Sequence, residues 1–486
     1  MSLKKKTISG MAWSFIDIFA KQGVTFVIGI ILARLLSPEE FGLIGMTTIF
    51  IVLSESVMDS GFGQALVRKK ECTQVDYSTV FYFNLVTGIL FFFLIFFSAD
   101  FISNFFNEPK LRIIIQVLGA GLIIKSLSII QSVILIKRIN FKLQTKISIL
   151  ASVGSGILGI FLAYQGFGVW SLVVKVLSGF TITTILLWIW NNWKPSFIFS
   201  WDSFKTLFSF GSKLLMSGLI KRAYDNVYLV VVGKFFYAEQ LGFFTRANQF
   251  NQLVSRNLTM AIQRVSYPVL SSIQDDIQLL RITYRQLIKS TMLLTFFSMI
   301  GLIVIAKPLI LVLIGEKWLP SVIYLQLLCF VGIFFPLQEI NQNMLKVQGR
   351  SDIILKLEIV KKILVIPIIY IGILYGIKVL IIGMIFMALV SYLVDSFFAG
   401  RLIDYSGIKQ MKDIYLTCLC ACIAGFITLV TGKFLTTSIP ISLMIQSILY
   451  AVVFLSICEV LKIEEYKYVK QILVENYLKM IRRNKA

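Results

Sequence analysis

The residues of this chain that could do chemistry are charges embedded in apolar stretches. The basic candidates are Lys21, Lys221, Arg222, Arg246, Arg256 and Arg264, and the acidic ones are Asp17, Glu55, Asp59, Asp225, Glu339 and Asp395. An ionisable side chain at the middle of a bilayer costs about 2.5–3.5 kcal/mol on insertion scales, so each must face a partner or a wet cavity. Asp17 with Lys21, Lys221 with Asp225, and Glu358 with Lys362 stand four residues apart, which puts each pair on one helix face. Lys125, Lys175, Lys213, Lys361 and Lys362 lie in the same apolar stretches, so basic groups outnumber acids there. A positive interior suits an anionic passenger and disfavours a cationic one.

Arg246, Arg256 and Arg264 form a ladder along one stretch. Arg246 and Arg264 are separated by five full turns of a helix and share a face, with Arg256 about 80° away. Guanidinium is shaped for paired contacts to phosphate. Asn248, Gln249, Asn251, Gln252 and Asn257 add amides suited to sugar hydroxyls. Lys21 and Lys221 take matched places in two stretches, as a shared central cavity would require. Other chemistry is thin. The chain has no histidine, which removes His metal sites, general bases and proton relays. Of the six cysteines, Cys418, Cys420 and Cys422 sit two apart in one apolar segment, a spacing of neither a zinc site nor a disulfide framework. No enzyme activity, cofactor or metal is expected; the acids are candidates for proton or sodium coupling.

The elements that must position these groups are membrane helices. The 486 residues are 57% apolar and only 15% charged, where soluble domains carry about a quarter charged residues. Mean hydropathy is +0.84. An all-α polytopic membrane protein follows. Segments able to span lie at about 11–36, 41–67, 79–101, 111–136, 145–164, 168–190 and 204–233, each near or above the ~20 residues a crossing needs. The series continues at about 240–270, 286–306, 321–345, 352–374, 377–400, 412–436 and 441–461, for about 14 helices with ends soft by a few residues. Connections such as Ser37-Pro38-Glu39-Glu40 and Asn107-Glu108-Pro109 leave no room for a folded domain outside the bilayer. A first helix following Lys4-Lys5-Lys6 contains Asp17 and Lys21, and reads as retained rather than as a cleaved leader. Alternate loops, taken with both termini inside, carry several-fold more Lys and Arg than the opposite loops, which places both termini in the cytoplasm. The net charge of +22 would suggest nucleic acid in a soluble chain; here anionic membrane lipids are its expected partner, with no nucleic acid.

The chain repeats itself. A shift of 200 lays Ala33-Arg34-Leu35-Leu36-Ser37-Pro38-Glu39-Glu40-Phe41-Gly42 over Gly233-Lys234-Phe235-Phe236-Tyr237-Ala238-Glu239-Gln240-Leu241-Gly242, and Lys21 over Lys221. A shift of 210 pairs Gln116 with Gln326 and Leu118 with Leu328. Six spans separate the first and seventh segments, so the halves share one topology, related by an axis along the membrane normal. The expected organisation is an N-terminal lobe at 1–200, a C-terminal lobe at 201–410, two extra helices at 411–461 and a basic amphipathic tail at 462–486. In that tail Ile463, Tyr466, Val469, Leu473, Tyr477 and Met480 recur at helical spacing, as in a helix lying on an anionic surface.

Several motifs are familiar as a set. Gly10-Met11-Ala12-Trp13, Leu32-Ala33-Arg34-Leu35-Leu36-Ser37-Pro38-Glu39-Glu40-Phe41-Gly42, Asp59-Ser60-Gly61-Phe62-Gly63-Gln64-Ala65-Leu66, Gly168-Val169-Trp170-Ser171-Leu172, Leu241-Gly242-Phe243-Phe244-Thr245-Arg246-Ala247 and Pro268-Val269-Leu270-Ser271 resemble bacterial polysaccharide flippases. These belong to the multidrug/oligosaccharidyl-lipid/polysaccharide exporter superfamily, and the likeness is to the lipopolysaccharide and colanic-acid type of exporter. The resemblance implies a V of two six-helix lobes plus two helices. It also implies alternating-access transfer of undecaprenyl-pyrophosphate-linked oligosaccharide across the inner membrane, alongside other polysaccharide assembly proteins. Segments 1, 2, 7 and 8 line the cavity in this superfamily, which lands on Lys21, Lys221, Arg222, Arg246 and Arg256. A peptidoglycan-precursor flippase and a cation-coupled multidrug exporter share the fold. A membrane polymerase or ligase would need a large outer loop, which this chain lacks.

Overall fold

A computed structural model describes residues 3–471, with the side chains of 3–12, 14–19, 261, 264, 265 and 351 outside the description. The chain divides into two compact units, Met1–Thr245 and Arg246–Ala486. The first contains α1 (Leu3–Leu35), α2 (Pro38–Asp59), the short α3 (Phe62–Arg68), α4 (Gln74–Phe106) and α5 (Leu111–Lys137). It continues through α6 (Phe141–Tyr164), α7 (Val169–Trp190) and α8 (Trp201–Phe235). α9 (Ala238–Ser272) runs across the division. The second unit holds α10 (Ile277–Leu313), α11 (Ser321–Val347), α12 (Ser351–Tyr375), α13 (Ile377–Ile403), α14 (Gly407–Phe434) and α15 (Ile439–Val460). No strand occurs among the described residues.

Among the described residues ten helices are long and apolar enough to cross a membrane. Those ten do not include α1, α8, α9 or α12, which carry Lys21, then Lys221, Arg222 and Asp225, then Arg246 and Arg256, then Glu358, Lys361 and Lys362. The polar load is thus concentrated in a few helices. Many helices run past the apolar windows. α4 begins at Gln74 rather than near 79, because Thr73 caps it: Asp76 N–H donates to Thr73 Oγ1 at 3.2 Å and Asp76 Oδ2 accepts from Thr73 N–H at 2.8 Å. Ser37 and Glu40 build the same reciprocal box at the start of α2, with Pro38 in the first turn. Capping residues are polar, so hydropathy alone misses the turns they close. The segment expected as one helix over 41–67 is broken at Ser60 and Gly61, where φ is 46° and 72°, and α3 leaves at a new angle. At Gly61 a Cβ would lie 2.4 Å from Gly211 O of α8, so backbone meets backbone there.

Within the first unit α4 packs along α5, α6 along both α1 and α7, and α8 against α2, α3 and α4. One apolar cluster in it is formed by Phe62, Phe81, Ile130, Ile134 and Leu207 with their neighbours. In the second unit α11 packs between α10 and α13, α12 lies along α13, and α14 and α15 pair on α10. The repeat is visible in matched bonds. Gln116 Nε2 donates to Phe96 O at 3.4 Å in one unit, and Gln326 Nε2 donates to Ile303 O at 3.1 Å in the other.

The repeat is clearest where α2 meets the start of α9, both inside the first unit. A Cβ on Gly42 would lie 1.7 Å from Ala238 O, and one on Gly242 would lie 1.9 Å from Pro38 O. Each glycine rests on the first residue of the matched helix. Small residues at such crossings let backbones approach where lipid supplies no hydrophobic drive between helices. Gly42→Ala and Gly242→Ala are therefore expected to lower the unfolding temperature in detergent by several degrees, since overpacking costs roughly 1–3 kcal/mol. Gly218→Ala, with nothing within 4 Å of its added carbon, should leave melting unchanged or raise it slightly. Equal melting of all three variants would contradict the crossing.

Candidate translocation cavity

The first unit contains a cavity of about 390 Å³ walled by α1, α5, α6 and α7. Lys21 enters from α1 and Lys175 from α7. Ser132, Ser148, Ser152, Ser155 and Thr183 supply hydroxyls, Gln144 an amide, and Phe180 an aromatic ring. Ser148, Ser152 and Ser155 fall four and three residues apart, so one face of α6 presents them together. Ser155 Oγ donates to Ser152 O at 3.2 Å, and its lone pairs stay available to accept. Gln144 Oε1 is buried without a hydrogen-bond partner among the described residues. No Asp or Glu appears among the described lining residues.

Glycines make this space. A Cβ on Gly159 would lie 2.9 Å from Lys175 Cβ, so α6 and α7 close tightly there. Gly179, further along α7, lines the opening; a Cβ on it would meet only Ser155, at 3.5 Å. Tight packing at one glycine and free volume at the next keep Lys175 on the cavity wall.

Beside the cavity the charges are paired. Lys125 Nζ lies 2.5 Å from Glu55 Oε1 and 5.0 Å from the Phe180 ring centre. Asp59 Oδ1 accepts from Gly63 N–H at 3.3 Å, with Lys125 and Arg222 the cations acting on it. Lys221, Arg222 and Asp225 are exposed on α8. No ion pair joins Lys221 to Asp225 among the described residues, although their spacing suits one.

In the second unit the candidates separate. Arg246 is 8% exposed; its Nη1 donates to Gln249 Oε1 at 2.5 Å, and its guanidinium lies 5.9 Å from the Trp318 ring centre. Arg256 is exposed on the same helix. Glu339 accepts from Gln263 Nε2. Asp395, 1% exposed, binds Lys361 Nζ at 2.6 and 2.8 Å, and Lys361 also lies 3.4 Å from Glu358. Gln342 Nε2 donates to both Glu358 and Asp395, at 3.2 and 3.4 Å. The main partner of Lys361, Asp395, is on another helix. The side chains of Asp17 and Arg264, and residues 472–486 of the expected tail, lie outside the described residues. Residues 464–471 are helical.

Of the nominated cations, Lys21 alone lines the first-unit cavity. Lys175, not nominated from sequence, is its companion. The available signal was a serine comb on one predicted helix followed by a lone lysine on the next.

The comparisons with known proteins agree with one another. The family described as "Polysaccharide biosynthesis protein" matches residues 31–323. Teichuronic acid biosynthesis protein TuaB of Bacillus subtilis is 28% identical over 72% of this chain and 73% of its own length. Lipopolysaccharide biosynthesis protein WzxC of Escherichia coli is 26% identical over 76% of each chain. Among solved structures, lipid II flippase MurJ in an inward closed conformation aligns with a TM-score of 0.75 at 15% identity, over 93% of this chain and 98% of that one. An inward-facing multidrug resistance MATE family transporter of the MOP superfamily aligns with a TM-score of 0.61 at 15% identity, over 81% of this chain and 99% of that one. The fold is the all-helical one of these transporters, and the chain is a multi-pass membrane protein.

The buried network gives a direct test. Lys361→Met leaves Asp395 charged and alone, a change that costs about 3–5 kcal/mol for a buried pair. Removing both charges, with Lys361→Met and Asp395→Asn together, should recover most of the lost thermal stability. A double variant no more stable than the single one would refute the pairing.

Proposed function

The chain belongs to the polysaccharide biosynthesis protein family, and from that premise we propose that it flips undecaprenyl-pyrophosphate-linked oligosaccharide repeat units across the cytoplasmic membrane by alternating access. Such units feed lipopolysaccharide O-antigen, capsule or exopolysaccharide synthesis. The observation that carries the reading is the cavity with Lys21 and Lys175 on its walls, hydroxyls between them and no acid among its described lining residues. It combines the donors a saccharide needs with the charge an anionic lipid needs. The names of the relatives, tied to teichuronic acid and lipopolysaccharide biosynthesis, support the substrate class. The basic bias of alternate loops supports cytoplasmic termini.

Lys221 and Arg222, exposed on α8 in the first unit, and Arg256, exposed on α9 in the second, are further cations that this reading assigns to the passenger. Catalysis has no part in it: the protein moves its substrate unchanged. A coupling ion would have to displace Lys125 from Glu55 or Lys361 from Asp395. Asp59, Asp225 and Glu339 form no salt bridge among the described residues and, with Asp17, are the acids this reading leaves for proton or sodium coupling. A peptidoglycan-precursor flippase has the MurJ likeness in its favour, but that likeness, at 15% identity, carries the fold alone.

Deleting the gene in its host should abolish surface polysaccharide and trap lipid-linked repeat units on the inner leaflet. Complementation by Lys21→Gln with Arg256→Gln should fail, with the variant present and folded in the membrane. Full export by that variant would sink the assignment of these cations to the passenger. A wall-synthesis defect with normal surface polysaccharide would transfer the chain to the peptidoglycan-precursor reading.

A further inference from the structure

We infer that residues 197–201, between α7 and α8, form a foot seated in the headgroup layer of a bilayer that contains anionic phospholipid. Residues 191–200 carry no helix, yet they are pinned to the start of α4. Gln74 Nε2 donates to Lys194 O at 2.6 Å and to Ser196 Oγ at 3.0 Å, and Trp193 Nε1 donates to Gln74 Oε1 at 2.7 Å. Ser196 N–H donates to Ser78 Oγ and Ser200 N–H to Thr79 Oγ1, each at 3.0 Å. The three residues between those two anchored amides are held outward. Phe197 is 99% exposed, Ile198 49% and Phe199 50%, and Trp201 follows at 58%. Four large apolar side chains are thus presented by a segment whose backbone is fixed.

Water is a poor setting for four adjoining apolar groups. Hydrocarbon is excluded as well, because a run without helix would leave backbone N–H and C=O groups unsatisfied there. The headgroup layer meets both needs: it hydrates the backbone and takes up aromatic rings, and tryptophan gathers in it. The foot also begins where a crossing helix stops, since α7 is one of the ten and ends at Trp190. The same end of the first unit repeats this chemistry. Lys142 Nζ lies 5.7 Å from the Trp13 ring centre, Lys146 Nζ 4.4 Å from that of Trp190, and Lys205 Nζ 5.8 Å from that of Trp201. These pairs join the early part of α1, the start of α6, the end of α7 and the start of α8. A ring at headgroup depth with a lysine stem along it carries the ammonium to the level of the lipid phosphates. Within the foot and its flanks Lys194 and Lys205 outnumber the one acid, Asp202, so the charge favours anionic headgroups.

The test puts the photo-crosslinking amino acid p-benzoylphenylalanine in place of Phe197 in the full chain, where near-complete exposure means that no packing is lost. The protein is reconstituted in vesicles of equimolar phosphatidylcholine and phosphatidylglycerol, irradiated, and its intact mass measured. The expected product carries the added mass of one phospholipid. Phosphatidylglycerol should be captured about fivefold more often than phosphatidylcholine, the preference that one lysine gives at an anionic surface. Adding Lys194→Gln and Lys205→Gln should bring that ratio back towards one while lipid capture persists, with the melting temperature reporting that the variant is folded. Capture of a second copy of the chain instead of lipid would assign the patch to a protein interface and overturn the foot. Absence of any adduct would put residues 197–201 in water and overturn it equally. Equal capture of the two lipids with both lysines in place would overturn the preference for anionic headgroups.

Discussion

A charge in hydrocarbon is the constraint on which this structure depends. Lipid offers neither solvation nor partners, so each ionisable side chain within the spans has to be neutralised or kept wet. The protein does both, in different places. Lys361 is clamped between Asp395 and Glu358, and Lys125 is held by Glu55. Lys21 and Lys175 instead line a cavity where hydroxyls and an amide stand in for water. The first arrangement fixes helices to one another; the second keeps lysines among polar groups. A chain with 47 basic and 25 acidic residues cannot pair every cation within itself, and anionic lipid headgroups are the natural partners of basic loops.

The same constraint shapes the packing. Helices in lipid gain little from apolar burial against one another, so they gain from close approach. Gly42 on Ala238, Gly242 on Pro38, and Gly61 with Gly211 bring backbone against backbone. These are the residues that make the family recognisable, and their role is steric. That explains why motifs covering most of the chain identify the fold and the family while saying little about cargo. The cavity-lining side chains Lys175 and Ser148, by contrast, belong to no motif.

Much of the architecture was legible from hydropathy, because a crossing helix needs a long apolar run wherever it occurs. Among the described residues ten helices are long and apolar enough to cross, where about fourteen spans are expected from the sequence; α1, α8, α9 and α12, at the other expected segments, are not among the ten. Helix ends were not legible, since turns capped by Ser37 or Thr73 are polar, and neither was the break at Ser60–Gly61, where chain direction depends on two backbone angles. The site was only partly legible. Lys21 could be nominated by depth and by its match to Lys221. Arg246 met the same criteria but is packed beside Trp318, a contact between residues far apart in sequence. Lys361 and Asp395 are 34 residues apart, beyond the reach of any helical-spacing argument. Long-range contacts decide which charges are structural and which are free to bind, and one sequence does not display them.

The most direct test is an experimental structure of the full-length protein in a lipid nanodisc with an undecaprenyl-pyrophosphate-linked oligosaccharide bound. The account predicts saccharide density within hydrogen-bonding distance of Lys21, Lys175 and the serine face of α6. Saccharide density elsewhere, with that cavity empty or filled by acyl chain, would contradict it.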